Sequence, residues 1–374
     1  METFYRKGEV KPRYYNPENV FDEIHFITFT DRDIEPEKIR PVAGNAKVFI
    51  HALGTLSIWN ALEKKQTILE TVKKIQPDVI RAFTPALHGY YAAYAAKTLG
   101  IPFVLSIHGD FDRDARHFFW KTGQFKNWLQ STFMKMVSER YAISNADEVI
   151  CAYAFPVPYA KKYGAKNATI IYNKVYREAF DTASPALQLD KPAVICVGRM
   201  IPEKNQICLI EAMRDLEAYL ILIGDGPMRE AWQKKAQEWG VQEKVKFIPS
   251  VPNARIPAYY ASAQVFALPI RYGGVAIPVI EAMAAGLPVV VARPERDPKP
   301  EIATDAGWVI DNTPASFAQA IRRLLDEPET RNELIERGKK VFDTINGHAM
   351  EKKEADLYRG LIQKGKTTKK AKVE

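Results

Sequence analysis

The sequence predicts an α/β protein built from two domains with parallel sheets, and three observations carry that expectation. Short apolar β-type runs alternate with stretches of helical period along almost the whole chain, which is the rhythm of βαβ units. The 374 residues exceed what one core comfortably holds, since a domain takes roughly 150 residues. Three of the runs lead into glycine loops, "AVICVGR", "YLILIGDG" and "VFALPIRYGG". In parallel sheets ligands sit beyond the carboxyl ends of the strands, so these loops are expected to converge on one site.

The first set of strand-like runs is "EIHFITF", "KVFI", "DVIRAF", "FVLSIHG", "EVICAY" and "ATIIYN". The second is "AVICVGR", "YLILIGDG", "VKFIP", "VFALP", "PVVVA" and "GWVI". Between them lies "DTASPALQLDKP", polar and without a period, which sets the domain boundary near residues 182–191. The domains so defined are residues 1–184 and 190–345, followed by a helix at 346–364 and a basic tail at 365–374. That tail reads as a solvated end or as a contact to acidic lipid head groups. The opening 22 residues show no strand.

Apolar content of 47% and charged content of 26% are ordinary for a globular chain. No run of 18 uncharged apolar residues exists to cross a bilayer. The start lacks the apolar core of a signal peptide, which predicts a cytoplasmic protein, peripheral at a membrane at most. Cys151, Cys196 and Cys208 are few, odd in number and share no metal-type spacing, so they read as reduced thiols. A net charge of +8 points to anionic partners without choosing among nucleotides, phosphorylated lipids and nucleic acid. At 118–137, Phe125, Trp128, Leu129, Phe133, Met136 and Val137 fall on one helical face. The first reading is a helix facing the core; the second is an element lying on a membrane surface.

The motif "VGRMIPEKN" ends a strand, turns at Gly198 and places Arg199 and Lys204 around a proline before a helix. Two cations where backbone amides point outward form a clamp for a diphosphate. Surface charges pairing locally with Glu203 are the plainer alternative. "LIGDGPMREA" begins like a dinucleotide fingerprint, but Arg229 stands at the third glycine position, so a nicotinamide cofactor is weakly supported. Gly224 and Gly226 still let the backbone approach a nucleotide. In "LPIRYGGVAIPVIEAMAAGLP", Glu281 lies one turn into a helix begun by Pro278. It either accepts hydrogen bonds from a ribose or serves the helix dipole. After His108, the run "GDFDRDA" supplies Asp110, Asp112 and Asp114. An EF-hand would want glycine at Ala115 and glutamate at Lys121, and neither is present.

Taken in order, "VGRMIPEKN", "LIGDGP" and "LPIRYGGVAIPVIEAMAAGLPVV" resemble the nucleotide-binding domain of retaining glycosyltransferases of the GT-B fold, glycosyltransferase family 4. The resemblance covers residues 192–345 closely and extends more loosely to "IPFVLSIHG" and "ADEVICAYAFPVPYAKKYGAKNATIIYNKV". It implies two Rossmann-like domains with parallel sheets facing across a cleft, and a C-terminal helix crossing back to the first domain. It also implies that Arg199 and Lys204 bind the donor diphosphate, that Glu281 binds the ribose, and that His108 faces the donor sugar. Gly198, Gly224 and Gly226, the backbone near Ile248 and Val251, and the amides of Gly273, Gly274, Val275 and Ala276 would line the donor. Two departures stand out. Gly273 occupies the place of the family's first acid, and the fragment "YYNPENVFDEIHFITF" looks like a second βα unit rather than a first.

The function expected on this basis is transfer of a sugar, with retention and without a metal, from a nucleotide-diphosphate sugar to a hydroxyl of a glycan or lipid-linked acceptor. The substrate would be a UDP-, GDP- or ADP-sugar, with no cofactor and no nucleic-acid partner. Preplaced cations would stabilise the leaving diphosphate. The alternatives are a non-catalytic nucleotide-sugar binder and a sugar-nucleotide epimerase of the same fold, though the sequence offers no clear acid pair for the latter.

Overall fold

The structure is a computed structural model that describes every residue except 7, 9, 57–59, 113–115, 117–118, 121–122, 272–276, 296–299 and 371–374; the side chains at 3 and 366–370 are likewise outside the description. The chain divides into two units, Met1–Tyr172 together with Met350–Glu374, and Asn173–Ala349.

In the first unit, β1 (Glu23–Thr28) pairs in parallel with β2 (Lys47–Ala52). Strands β3 (Ile80–Ala82), β4 (Phe103–Ile107), β5 (Glu148–Cys151) and β6 (Ala168–Ile170) form a separate parallel sheet in that order. The residues that precede β1 pack between the two sheets. The Tyr15 ring lies 5.0 Å from Phe26 of β1 and 5.2 Å from Phe83, just after β3, both edge-on, a geometry aromatic quadrupoles favour. Helices α1 (Ala61–Ile75) and α2 (Leu87–Leu99) follow β2 and β3. The core under α2 is made of fully buried β4 and β5 residues with Ala142, Ile143 and Tyr159, while Ile68 and Val72 of α1 pack with Tyr91, Ala95 and Ile101.

Helix α3 (Phe125–Met134) runs on through a π-helical turn at Lys135–Glu139. Here the structure corrects the first reading of the sequence. No residue of α3 is buried, and Phe125, Leu129, Phe133, Met136 and Val137 are exposed, from 44% at Val137 to 73% at Met136. The physical reason is what lies beneath. The backbone carbonyl of Ser131 accepts from Arg116, and Arg116 also pairs with Asp112 and Glu139. That underside is charged, so the polar face turns inward and the apolar face has no core to enter.

In the second unit, β7 (Ala193–Val197), β8 (Tyr219–Ile223), β9 (Val245–Ile248), β10 (Val265–Leu268), β11 (Val289–Ala292) and β12 (Trp308–Ile310) form one parallel sheet. Its order is β12-β11-β10-β7-β8-β9. Continuous apolar runs such as "AVICV" are buried on both faces, as parallel strands covered by helices require. Those helices include α4 (Arg229–Glu238), α5 (Ile277–Ala284), α6 (Pro314–Asp326) and α7 (Pro328–Ile345). Thr313 caps α6 by accepting from the Ser316 amide at 3.2 Å. All twelve runs singled out in the sequence are strands, and none precedes Glu23 among the described residues.

The division at Tyr172 falls ahead of the polar stretch at 182–191. That stretch is already tied into the second unit: the Ala186 amide donates to Ala258 O at 2.8 Å and the Leu187 amide to Ser262 Oγ at 3.0 Å. Its polarity therefore marks an exposed lead-in rather than the boundary. The three cysteines are buried and free, and burial pushes the Cys196 and Cys208 thiols up to about 12.

The last helix, α8 (Gly347–Lys370), belongs from Met350 onward to the first unit. Two glutamates hold it there, each 2% exposed. Glu351 accepts from Arg13 Nε at 2.7 Å, from Arg13 Nη2 at 3.1 Å and from the Glu18 amide at 2.9 Å. Glu354 pairs with Arg81 of β3, which also donates to Tyr358 Oη at 2.5 Å and Ser106 Oγ at 3.0 Å. Removing one member of such a pair leaves the other charge unmatched. Glu354→Ala is expected to cost about 3 kcal/mol, read as a lower urea midpoint, whereas Arg359→Ala, at an exposed pair with Glu18, is expected to leave that midpoint nearly unchanged. Equal losses would show that burial of the pair does not matter.

Candidate functional site

The strand order of the second unit reverses between β7 and β10, since β8 lies on one side of β7 and β10 on the other. At such a switch point the loops leaving two adjacent strands diverge and open a crevice. The loop after β7 is "GRMIPEKNQ", and "PIR" follows β10. They touch at their described ends, where the Arg271 amide donates to Glu203 O at 2.9 Å. Asn312 links them as well, donating to Pro269 O at 3.1 Å and accepting from Asn205 Nδ2 at 3.1 Å. Asn205 adopts φ of 50°, a left-handed position that asparagine tolerates.

Gly224 and Gly226 have a structural explanation that the sequence reading did not supply. The loop after β8 lies against the loop after β7: the Met200 amide donates to Asp225 O at 2.8 Å, and the Met228 amide to Met200 O at 3.1 Å. A Cβ on Gly224 would fall 2.3 Å from Gly198 O, and one on Gly226 would fall 2.3 Å from Met200 O. Their φ angles of 139° and 158° are also costly for any other residue. The approach these glycines permit is therefore that of one loop to the next. Arg229, at the place of the third fingerprint glycine, donates to Gly224 O at 3.2 Å and Phe247 O at 3.0 Å. It fastens β8 to β9 at the loop, so the departure from the fingerprint has a local purpose. Ile248 ends β9 and accepts from the Gly224 amide at 3.1 Å; Val251 follows, next to Ser250, whose amide donates to Asp225 Oδ2 at 2.8 Å.

Gln206 holds the cation-bearing loop from inside. It is 1% exposed and its amide nitrogen donates to Gly198 O and Arg199 O, both at 3.2 Å. Arg199 is exposed and Lys204 half-buried, and neither forms an ion pair among the described residues. Burial, and then the Arg199 charge, lower the Lys204 pKa from its usual value. Two cations without an ion-pair partner, one of them losing solvation with only a partial offset from the Glu203 charge, are an arrangement that a bound anion would relieve.

Glu281 lies beyond the first turn of α5, which contains no acid. That position weakens the helix-dipole explanation, because that effect fades after the first turn. Instead, the hydroxyl of Tyr260 reaches Glu281 Oε2 and Pro278 O, both at 3.1 Å. Tyr260 is fully buried, and burial followed by the Glu281 charge raises its pKa well above the usual value, so it donates and supports the carboxylate. Gly273, Gly274, Val275 and Ala276 lie outside the described residues.

His108 belongs to the first unit, at the carboxyl end of β4. Although open to solvent, it is crowded enough that desolvation, helped by the Arg81 charge, lowers its pKa. Of the three aspartates after it, Asp114 is outside the described residues. Asp112 is held by Lys162 at 2.8 Å, Lys135 at 3.2 Å and Arg116 at 2.9 Å. The described residues contain no cluster of three metal-type ligands. Gln206, Tyr260, Asn312 and Arg271 were not picked out in the sequence. Only Arg271, inside the quoted glycine motif, left a signal there.

Two Rossmann-like units with parallel sheets, the second carrying its cations at the switch point, make the fold that of the GT-B class. A family model described as Glycosyl transferases group 1 matches residues 177–341, and one described as Glycosyltransferase Family 4 matches residues 22–178. It is 35% identical over 152 residues to a GDP-mannose-dependent alpha-(1-6)-phosphatidylinositol monomannoside mannosyltransferase of Mycolicibacterium smegmatis, a match spanning 37% of this chain and 40% of that enzyme. The chain therefore spans about 40% of the length of that curated relative. An uncharacterized glycosyltransferase of Methanocaldococcus jannaschii is 24% identical, over 85% of this chain and 84% of its own length. Among solved structures, Anabaena HepE in complex with UDP superposes with a TM-score of 0.71 at 14% identity, over 95% of this chain and 96% of that one. No helix of the described residues is long and apolar enough to cross a membrane.

The interlocked loops give a direct test. Gly226→Ala adds a Cβ against Met200 O on top of an unfavourable φ, whereas Gly240→Ala meets only its φ of 68°, with open space around it. Gly240→Ala is expected to cost about 1 kcal/mol and Gly226→Ala clearly more, measured by denaturant unfolding. Similar losses would mean that the two loops do not need to approach each other.

Proposed function

We propose that this chain transfers a hexose from a nucleoside diphosphate sugar to a hydroxyl of a glycan or lipid-linked acceptor, with retention of anomeric configuration and without a metal ion. The observation that carries it is the pair Arg199 and Lys204, without an ion-pair partner among the described residues, on the loop that leaves the central strand at the switch point. The family models and the nucleotide-sugar chemistry in the names of the relatives support the same reading. In this reading the two cations take the diphosphate, and Glu281, steadied by Tyr260, accepts from the ribose hydroxyls. Neutral His108 contributes at the sugar. As the glycosidic bond breaks, negative charge collects on the diphosphate, and cations fixed beforehand stabilise it without reorganising. A divalent ion would duplicate that role. The acceptor hydroxyl then attacks the oxocarbenium-like sugar from the face the diphosphate leaves and gives up its proton to the departing diphosphate oxygen. The GDP-mannose dependence of the mycobacterial relative favours a guanosine donor, and the UDP bound by HepE keeps uridine in the comparison.

A thermal-shift screen with UDP, GDP, ADP and their sugar conjugates tests the donor. A ligand at 100 times its Kd stabilises by about 2.7 kcal/mol. Arg199→Ala and Lys204→Ala are each expected to weaken nucleotide binding by roughly tenfold to a hundredfold, the worth of a charge-assisted hydrogen bond. Transfer is expected to persist in EDTA, and NMR of the product to show a retained anomer. Unchanged nucleotide affinity in both variants would remove the clamp.

The lowered Lys204 pKa adds a pH signature. A diphosphate beside the ammonium raises that pKa again, so affinity is full below the lowered value. It then falls, by at most about tenfold per pH unit, as pH rises toward the value in the complex. Binding in that window takes up a proton. Titration calorimetry in buffers of different ionisation enthalpy is expected to show this uptake in the wild type and not in Lys204→Ala. For the free protein the sign is opposite: the unfolded chain holds the proton more tightly, so between the lowered value and the usual lysine value this residue makes stability rise with pH.

A further inference from the structure

Away from the donor loops, the two-stranded sheet of the first unit carries a group of polar side chains that the proposed transfer does not use. Strands β1 and β2 pair in parallel with His25 opposite Phe49 and Ile27 opposite His51. Side chains alternate along a strand, so Glu23 and His25 of β1 share one face with Phe49 and His51 of β2. On that face His25 Nδ1 lies 3.0 Å from His51 Nε2, and His25 Nε2 lies 3.3 Å from Glu23 Oε2. The Phe49 ring stacks on that of His25, with centroids 4.6 Å apart and planes inclined by 12°.

The partners fix where the ring protons sit. An ionised carboxylate only accepts, so the proton of a neutral His25 is on Nε2, toward Glu23, and the lone pair of Nδ1 is turned to His51. A carboxylate on the far nitrogen is the arrangement that orients a metal-ligating histidine and raises its basicity. The spacing fits as well. An ion about 2.0–2.1 Å from two imidazole nitrogens sets them about 2.9 Å apart at a right angle and about 3.4 Å apart at the tetrahedral angle. The 3.0 Å between His25 and His51 falls inside that span. Access is open, because the side chains of Glu23 and His25 are 50% and 19% exposed and Phe49 is 37% exposed.

We propose that His25 Nδ1 and His51 Nε2 chelate one divalent transition-metal ion, of the zinc, nickel or copper type, across β1 and β2. As the ion enters, His51 moves its ring proton from Nε2 to Nδ1, and no proton leaves the pair. Imidazole ligands select these ions over magnesium and calcium, which take oxygen. The described residues hold no group of three metal-type ligands, so the remaining positions on the ion go to water. Among the described residues β1 pairs with β2 alone, and a two-stranded sheet is marginal by itself. An ion bound to both strands clamps the pair, because its binding free energy adds to that of folding. The site stands apart from the proposed transfer and shares no residue with it.

The test is titration calorimetry of the full chain with zinc, nickel and copper chlorides, with nitrogen NMR of the histidine rings alongside. The wild type is expected to take one ion per chain, copper more tightly than nickel or zinc. The His25 and His51 ring signals are expected to move together, and the melting temperature to rise until the site is full. His25→Gln and His51→Gln are each expected to lose this binding, and Glu23→Ala to weaken it roughly tenfold to a hundredfold. Glu23 is exposed, so that variant keeps the test decisive even if a histidine variant folds poorly. His348→Gln, at an exposed histidine of α8, is expected to bind as the wild type does. Absence of saturable binding by all three ions would overturn the proposal and leave the pair as a shared-proton contact only. Binding that survives in both histidine variants, full affinity in Glu23→Ala, or loss in His348→Gln would overturn it too. Nucleotide-induced stabilisation, expected to be equal in the wild type and Glu23→Ala without added metal, reports on the donor site separately.

Discussion

The geometry of the donor side rests on backbone meeting backbone. The loop after β8 lies so close to the loop after β7 that carbonyl oxygens of Gly198 and Met200 occupy the space where side-chain carbons at 224 and 226 would otherwise be. Two backbone hydrogen bonds, from the Met200 amide to Asp225 O and from the Met228 amide to Met200 O, close the contact. Gln206 seals it from within by donating to two carbonyls of the cation-bearing loop. The position of Arg199 and Lys204 thus follows from a contact that involves neither of their charged groups. A loop fixed in this way can hold cations where they repel each other, because its conformation does not depend on their finding partners.

The two units handle charge in opposite ways. In the first, buried carboxylates are matched: Glu351 by Arg13 and a backbone amide, Glu354 by Arg81. Those pairs tie a distant helix to β3 and to the residues before β1, and they complete the first unit with a segment that follows the second in sequence. In the second unit, the cations of the loop after β7 have no such match among the described residues. Matched charges organise a fold, while unmatched ones hold free energy that a ligand can release. Glu281 lies between these cases, since Tyr260 supports it from the core side.

The stripe on α3 shows how periodicity and burial separate. Apolar spacing correctly marks a helix and its apolar side, but says nothing of what that side faces. Arg116, Glu139 and Asp112 build a polar floor beneath the segment. Only their convergence turns the apolar side outward. The same limit applies to the stretch at 182–191, whose polarity reflects exposure, and whose assignment to the second unit is made by hydrogen bonds to residues 258 and 262.

By itself the sequence determined the twelve strands, their parallel rhythm and the order of the loop that bears Arg199 and Lys204 and the helix that bears Glu281. These are local properties: alternation, apolar runs, and glycine or proline where a chain must turn are written in neighbouring residues. The tertiary structure alone decided that the first unit splits into two sheets joined by aromatic rings and that the division falls at Tyr172. It also placed Tyr260 under Glu281, joined Asn205 to Asn312, and used Gly224 and Gly226 for loop contact. Each of these depends on groups far apart in the chain arriving within a few ångströms of each other. No local pattern encodes such a meeting, because the free energy that selects it belongs to the packed core as a whole.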